Sequence, residues 1–243
     1  MATDILTLEE IVAGYGKMTI LHGTSFSVAR GTITTVIGPN GAGKSTVFKT
    51  VFGMLPARSG RITFEGAEIT NLAPRDLLAR GISYVPQGRN IFPELSVRHN
   101  LELGAVMAPA GFDLSGRMAA AMDRFPVLRR KADAQASTLS GGEQKMLEIA
   151  RALLLEPKLM LIDEPSIGLS PIMVNELFAI LTEMRGRGIT VLLIEQNAKR
   201  ALEASDYGIV LELGRTRIAA TAPVILADPR IGQLFLGGGL QSN

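Results

Sequence analysis

The sequence predicts an α/β fold: a mainly parallel sheet, an N-terminal antiparallel β layer, and a helical subdomain inserted between two stretches of the core. Three observations carry this. Short β-like runs separated by glycines fill residues 5 to 37. Residues 98 to 136, rich in Ala, Met, Leu and Arg, show helical patterns without strands, and from Leu159 onward apolar runs alternate with helical ones. At 243 residues the chain can bury a sizeable core in a single domain, residues 1–243. Within it, 1–87 and 159–243 read as core with its β layer, and 88–158, approximately, as the helical subdomain.

Taken in order, LTLEEIVAGY, SFSVA and TITTVIG are broken by Gly14, Gly16, Gly23 and Gly31, as expected for an antiparallel layer feeding one core strand. The period then changes. In KSTVFKTVFG, Val47, Phe48, Val51 and Phe52 stand at helical spacing, and Gly53 is a favoured C-terminal cap. Further on, KLMLIDE, VNELFAILTEM and TVLLIE read as strand, helix and strand. No internal repeat is visible, and the GGGLQSN tail is expected to fray.

Composition narrows the function. Hydrophobic residues make up 47% and charged residues 20%, with no run of eighteen apolar residues, so no membrane span is predicted. MATDILTLEE mixes charges early, unlike a secretion signal, and cysteine is absent, which predicts a cytoplasmic chain without thiol chemistry. Net charge is +2, and the densest basic cluster, Arg129, Arg130 and Lys131, reads as a solvated face. No nucleic-acid partner is expected.

GPNGAGKST, residues 38 to 46, fits a phosphate-binding loop: a glycine, four residues, then Gly43-Lys44-Ser45, between a strand and a helix. Along Gly38, Pro39, Asn40, Gly41, Ala42 and Gly43, the glycines let backbone N–H groups turn toward phosphate oxygens. The first helical turn, which contains Thr46, adds its positive end. Lys44 is placed to reach the β and γ phosphates of ATP, and Ser45 offers a hydroxyl to Mg2+. A glycine turn that binds nothing would not account for strand, loop and helix in this order. The fold class is therefore a P-loop nucleotide-hydrolase core.

LMLIDEP is the second anchor. Four apolar residues suit a strand buried on both faces, and Asp163 emerges at its C-terminal end, where ligands of parallel sheets sit. Asp163 is expected to hold Mg2+ through water, and Glu164 to orient and polarise the water that attacks the γ phosphate. The alternative is a plain strand ending.

STLSGGEQK supplies a third. Ser140, Gly141, Gly142 and Glu143 open a long helical pattern, EQKMLEIARALLL, and so make a second helix N-terminus with exposed N–H groups. Two anion sites and one nucleotide are reconciled if two chains pair head to tail, each closing this turn over the other's phosphate loop. An ordinary Ser-capped helix explains the parts but not the whole string.

On these motifs the chain resembles the ATP-binding subunits of ABC transporters, over almost its whole length, which implies the ABC ATPase fold. The resemblance implies that Tyr15 stacks on adenine. It implies that Gln87 contacts Mg2+ and the attacking water, that Ile91 and Phe92 receive a membrane-spanning subunit, and that SIGLSP crosses a dimer interface. PQGRNIFPELSVRHNL, DEPSIGLSPIMV, LIEQNA and the FLG near the end resemble a narrower group, the second ATPase of branched-chain amino acid importers. That implies a homodimer or a heterodimer with a companion ATPase, on the inner face of the membrane, served indirectly by an extracytoplasmic binding protein. One departure stands out. Most of the family has histidine where this chain has Gln196, whose amide is a neutral donor weaker than a charged one. A related urea or amide importer, another ABC transporter, a non-transport ABC-type ATPase and a non-hydrolysing regulatory subunit are the alternatives.

Overall fold

The computed structural model describes residues 3–229. The FLG and GGGLQSN stretches lie outside them. The chain runs β1 (Asp4–Ala13), β2 (Leu21–Ala29), β3 (Ile33–Ile37), α1 (Lys44–Val51), β4 (Ala57–Phe64), β5 (Ala67–Glu68), α2 (Pro74–Ala79) and β6 (Ile82–Val85). Four α-helices follow without a strand: α3 (Val97–Leu103), α4 (Leu114–Arg124), α5 (Pro126–Arg130) and α6 (Gly141–Leu153). Then come β7 (Leu159–Asp163), α7 (Pro171–Gly186), β8 (Thr190–Ile194), α8 (Ala198–Glu203), β9 (Tyr207–Glu212), β10 (Arg215–Thr221) and α9 (Ala222–Leu226).

Two sheets result. The antiparallel layer has the order β2-β1-β4-β5, and the larger sheet has the order β10-β9-β3-β8-β7-β6. In the larger sheet every pairing is parallel except β10 on β9. β3, β7 and β8 are buried along their whole length, because both faces of the sheet are covered, and so they read as unbroken apolar runs. β10 alternates exposed and half-buried residues, as an edge strand does. The antiparallel layer is completed by β4 and β5, from beyond the phosphate loop, rather than by the first strands alone.

One core lies between the two sheets and α1, with Phe48, Ile62 and Leu192 among its members. A second lies on the opposite face, where Leu128, Leu147 and Leu181 pack under the helices, and a smaller third gathers Ile37, Leu202 and Val210. Ile91, beside the exposed Phe92, is half-buried and packs against the core under the helices. The basic cluster is a solvated face, with Arg129 and Arg130 exposed, and it carries surface ion pairs: Arg129 with Asp123 at 2.6 Å and Lys131 with Glu143 at 2.8 Å.

Candidate nucleotide site

β3, β7 and β8 end side by side, and their C-terminal ends deliver the phosphate loop, Asp163-Glu164 and Glu195-Gln196 to one place. Gly38 leaves β3 so close to β9 that a Cβ there would stand 2.1 Å from the Leu211 carbonyl oxygen, so only glycine lets the loop turn at this point. Ala42 N–H donates to Pro39 O at 3.1 Å, and α1 starts at Lys44 behind Gly43, whose φ of 101° suits glycine. A cleft of about 470 Å³ follows, lined by Asn40, Gly41, Lys44, Gln87, Glu164 and Gln196 among others. Ser45 and Thr46 also line it, whereas Tyr15 stands outside this lining, exposed, with the Lys49 ammonium 5.8 Å from its ring centre.

The charged groups of the cleft act on one another. Lys44 Nζ donates to Gly38 O at 2.8 Å and Pro39 O at 3.1 Å. Burial lowers its pKa, against the opposing pull of Glu164 and Asp163. Asp163 is buried, with its pKa raised by that burial, and its Oδ2 accepts from Tyr84 Oη at 3.4 Å while Oδ1 has no hydrogen-bond partner. An unsatisfied buried carboxylate oxygen beside the Ser45 hydroxyl suits a hydrated divalent cation, so the residues present fit Mg2+. Glu164 stands at φ 47°, a left-handed conformation rare for glutamate, fixed by its N–H donating to Ile194 O at 2.8 Å. Burial, then the Asp163 charge, raises its pKa, and its Oε2 accepts from Gln87 Nε2 at 2.9 Å.

Two functional contacts were not read from sequence. Glu195 is buried and turns inward, accepting from Ser166 N at 3.0 Å, Ser166 Oγ at 2.6 Å and Gln196 N at 3.2 Å. It therefore fastens the SIGLSP loop to the turn that presents Gln196. The second contact is a clamp on the loop behind Gln87. Lys145 Nζ donates to Gly88 O at 3.0 Å, Asn90 N donates to Glu148 Oε1 at 2.6 Å, and the two side chains pair with each other at 2.5 Å. Arg151 adds a hydrogen bond to Asn90 O.

The LSGGE turn lies apart from the cleft lining. Ser140 caps α6 with a capping box, its Oγ accepting from Glu143 N at 3.3 Å while Glu143 Oε2 accepts from Ser140 N at 2.8 Å. Ser140 and Gly141 are exposed, whereas Gly142 is buried against Met173 and the Glu143 carboxylate is held by the cap and Lys131.

The ABC transporter family model matches residues 21–167. The chain belongs to the ABC transporter family. It is an ATPase of that family, with the ABC cassette fold. It is 41% identical, over 96% of its length and all of the relative's, to a high-affinity branched-chain amino acid transport ATP-binding protein of Pseudomonas aeruginosa. A probable branched-chain amino acid transport ATP-binding protein of Archaeoglobus fulgidus is 38% identical over 96% of this chain and 99% of its own. A lipopolysaccharide export ATP-binding protein of Haemophilus influenzae is 32% identical over 96% and 98%. A crystallised ATP-binding cassette of an ABC transporter superposes with a TM-score of 0.88 at 31% identity, covering 97% of this chain and all of that one. The ADP conformation of such a cassette does so at 0.84 and 32%, covering 97% and 99%.

Within this ABC ATPase, Gln196 supports a definite expectation. It lines the cleft with Lys44 and Glu164 but brings no charge. Gln196→His should speed single-turnover ATP hydrolysis by about tenfold, the difference between a neutral and a charge-assisted donor, and Gln196→Ala should slow it by a similar factor. Equal rates in all three proteins would make Gln196 a strand-end residue only.

Proposed function

We propose that this ATPase powers import of branched-chain amino acids through membrane-spanning partners, from the cytoplasmic face, with the cargo delivered outside by a binding protein it never touches. The observation that carries the cargo is the pair of branched-chain amino acid transport relatives, matched over 96% of the chain. In this reading two chains, copies or companions, pair head to tail. Lys44 and the amides from Gly38 to Gly43 hold the β and γ phosphates, Tyr15 packs on adenine, and Ser140 and Gly141 of a second chain close over the phosphates, their turn shaped by Gly142 and Glu143. Ser45, Gln87 and Asp163 would hold Mg2+, which would supply positive charge to the phosphate oxygens. Glu164 orients the attacking water and takes its proton, and Gln196 donates its amide to the γ phosphate.

An apolar groove of about 610 Å³, lined by Ile91, Phe92, Leu103, Val106 and Met107 among others, supports docking of a membrane subunit beside the Gln87 loop. Arg151 lies 5.8 Å from the Phe92 ring centre and holds that ring at the groove. Phe92→Asp should abolish copurification with the membrane subunits while leaving ATP affinity within about twofold of wild type, since Phe92 is outside the nucleotide cleft. The cargo is tested by uptake into vesicles that carry the assembled transporter. ATP-dependent uptake of leucine, isoleucine or valine is expected. Uptake of urea or a short amide instead would refute the cargo but not the motor.

A further inference from the structure

The nucleotide cleft sits at the C-terminal ends of the parallel strands, and a second concavity, of about 410 Å³, opens at their N-terminal ends. α4 forms one wall, and the end of α6 and the connections that lead into β3, β7 and β8 form the others. Five cationic side chains line it, Arg30, Arg117, Arg124, Lys158 and Arg187. Three carboxylates answer them. Glu65 is shared by Arg30 at 2.7 Å and Lys158 at 2.6 Å, Glu183 by Arg187 at 2.7 Å and Arg124 at 3.4 Å, and Glu156 pairs with Arg117. Two positive charges are left over, although the whole chain carries a net charge of only +2.

Arg124 decides what this excess is for. Its side chain is only 13% exposed, yet among the described residues its guanidinium makes no hydrogen bond, and its one ion pair is the 3.4 Å approach to a carboxylate that Arg187 holds more closely. Burial lowers its pKa, Glu183 opposes this, and the neighbouring Arg187 charge adds to the lowering. A largely buried, planar fork of five N–H donors needs acceptors, and a tetrahedral oxyanion supplies them in bidentate geometry. Its remaining oxygens can meet Arg187 and Lys158 from the other walls.

We infer that this cavity binds a compact phosphorylated metabolite carrying two or more negative charges, held by Arg124 and Arg187 with Lys158 and Arg117 around it. Such a ligand ties α4 to the connections entering β7 and β8. It therefore fixes the helical layer against the sheet from the end opposite the nucleotide. The inference does not depend on the cargo.

The test uses the full chain and the Lys44→Ala variant in Mg2+-free buffer, titrated calorimetrically with pyrophosphate and, separately, with citrate. Wild type should bind pyrophosphate at two sites and Lys44→Ala at one, the site that remains being this cavity. Arg187, 61% exposed, is the safer residue to change, and Arg187→Gln should weaken the retained site by about tenfold while the free protein melts as before. Arg124→Gln should abolish it. Loss of all binding in Lys44→Ala, or undiminished binding in Arg187→Gln, would overturn the site. Tighter binding of citrate than of pyrophosphate would overturn the phosphate assignment.

Discussion

Glu164→Gln is expected to lower ATP hydrolysis by about a hundredfold to ten-thousandfold, the usual contribution of a positioned general base, while ATP binding persists. The amide fits the same space and still meets Gln87, whose Nε2 lies 2.9 Å from the carboxylate in the wild-type protein, but it takes no proton. Slowed hydrolysis should trap the Mg-ATP dimer, visible by sedimentation, and Ser140→Arg in the same chain should prevent it, because the exposed Ser140 turn would no longer close over a nucleotide. Monomers throughout, even with a companion ATPase present, would refute the paired arrangement. The wild-type acid limb carries a further mark. Burial and the Asp163 charge raise the Glu164 pKa, so hydrolysis should fall off on acidification at a pH above the ordinary carboxylate range. The sign for stability is the reverse. The folded state protonates this carboxyl more readily than the unfolded one, so its contribution to stability grows as pH falls through the folded pKa toward the ordinary value. Glu164→Gln removes both dependences.

Glu148→Ala should be strongly destabilising although it lies outside the nucleotide cleft. Glu148 is 3% exposed and Lys145 8%, so deleting the carboxylate strands a buried ammonium and the Asn90 amide together. Breaking a buried pair in this way costs about 3–5 kcal/mol, or roughly 10 °C in the melting midpoint of a chain this size. The joint replacement Lys145→Met, Glu148→Leu should recover much of that stability, because two apolar side chains leave no charge unpaired. It should not recover the tether on the Gln87 loop, since neither new side chain bonds Gly88 O or the Asn90 amide. Stability restored with basal ATPase restored, but stimulation by the membrane subunits lost, would separate the tether from packing. A melting midpoint unchanged in Glu148→Ala would mean the pair is solvated in solution.

What the sequence disclosed follows from range. The phosphate loop, LMLIDEP and LSGGE are contiguous strings whose chemistry depends on neighbours in sequence, and the runs 159–163 and 190–194 are buried on both faces, so each was readable alone. Contacts between distant segments were not. Glu195 looks like a polar strand ending until Ser166, twenty-nine residues earlier, is seen to occupy it. Lys145 and Glu148 read as ordinary helical charges at spacing three, because nothing local says that residues 88 and 90 lie against them. The β9–β10 hairpin was passed over for a different reason: β10 is half exposed and its apolar pattern is weak. Ile91 serves two surroundings at once, the groove beside Phe92 and the core beneath it, and only the first is suggested by its polar neighbours in sequence.

The backbone of Glu164 sets stability against the work proposed for this residue. A glutamate at φ 47° with a partly buried carboxyl bears two costs at once, a left-handed conformation worth about 1–2 kcal/mol and a desolvated charge. Glycine at 164 would relieve both, and the inactive protein would be the more stable one. On the catalytic role proposed for Glu164, stabilising the chain and keeping it working therefore pull in opposite directions at this position.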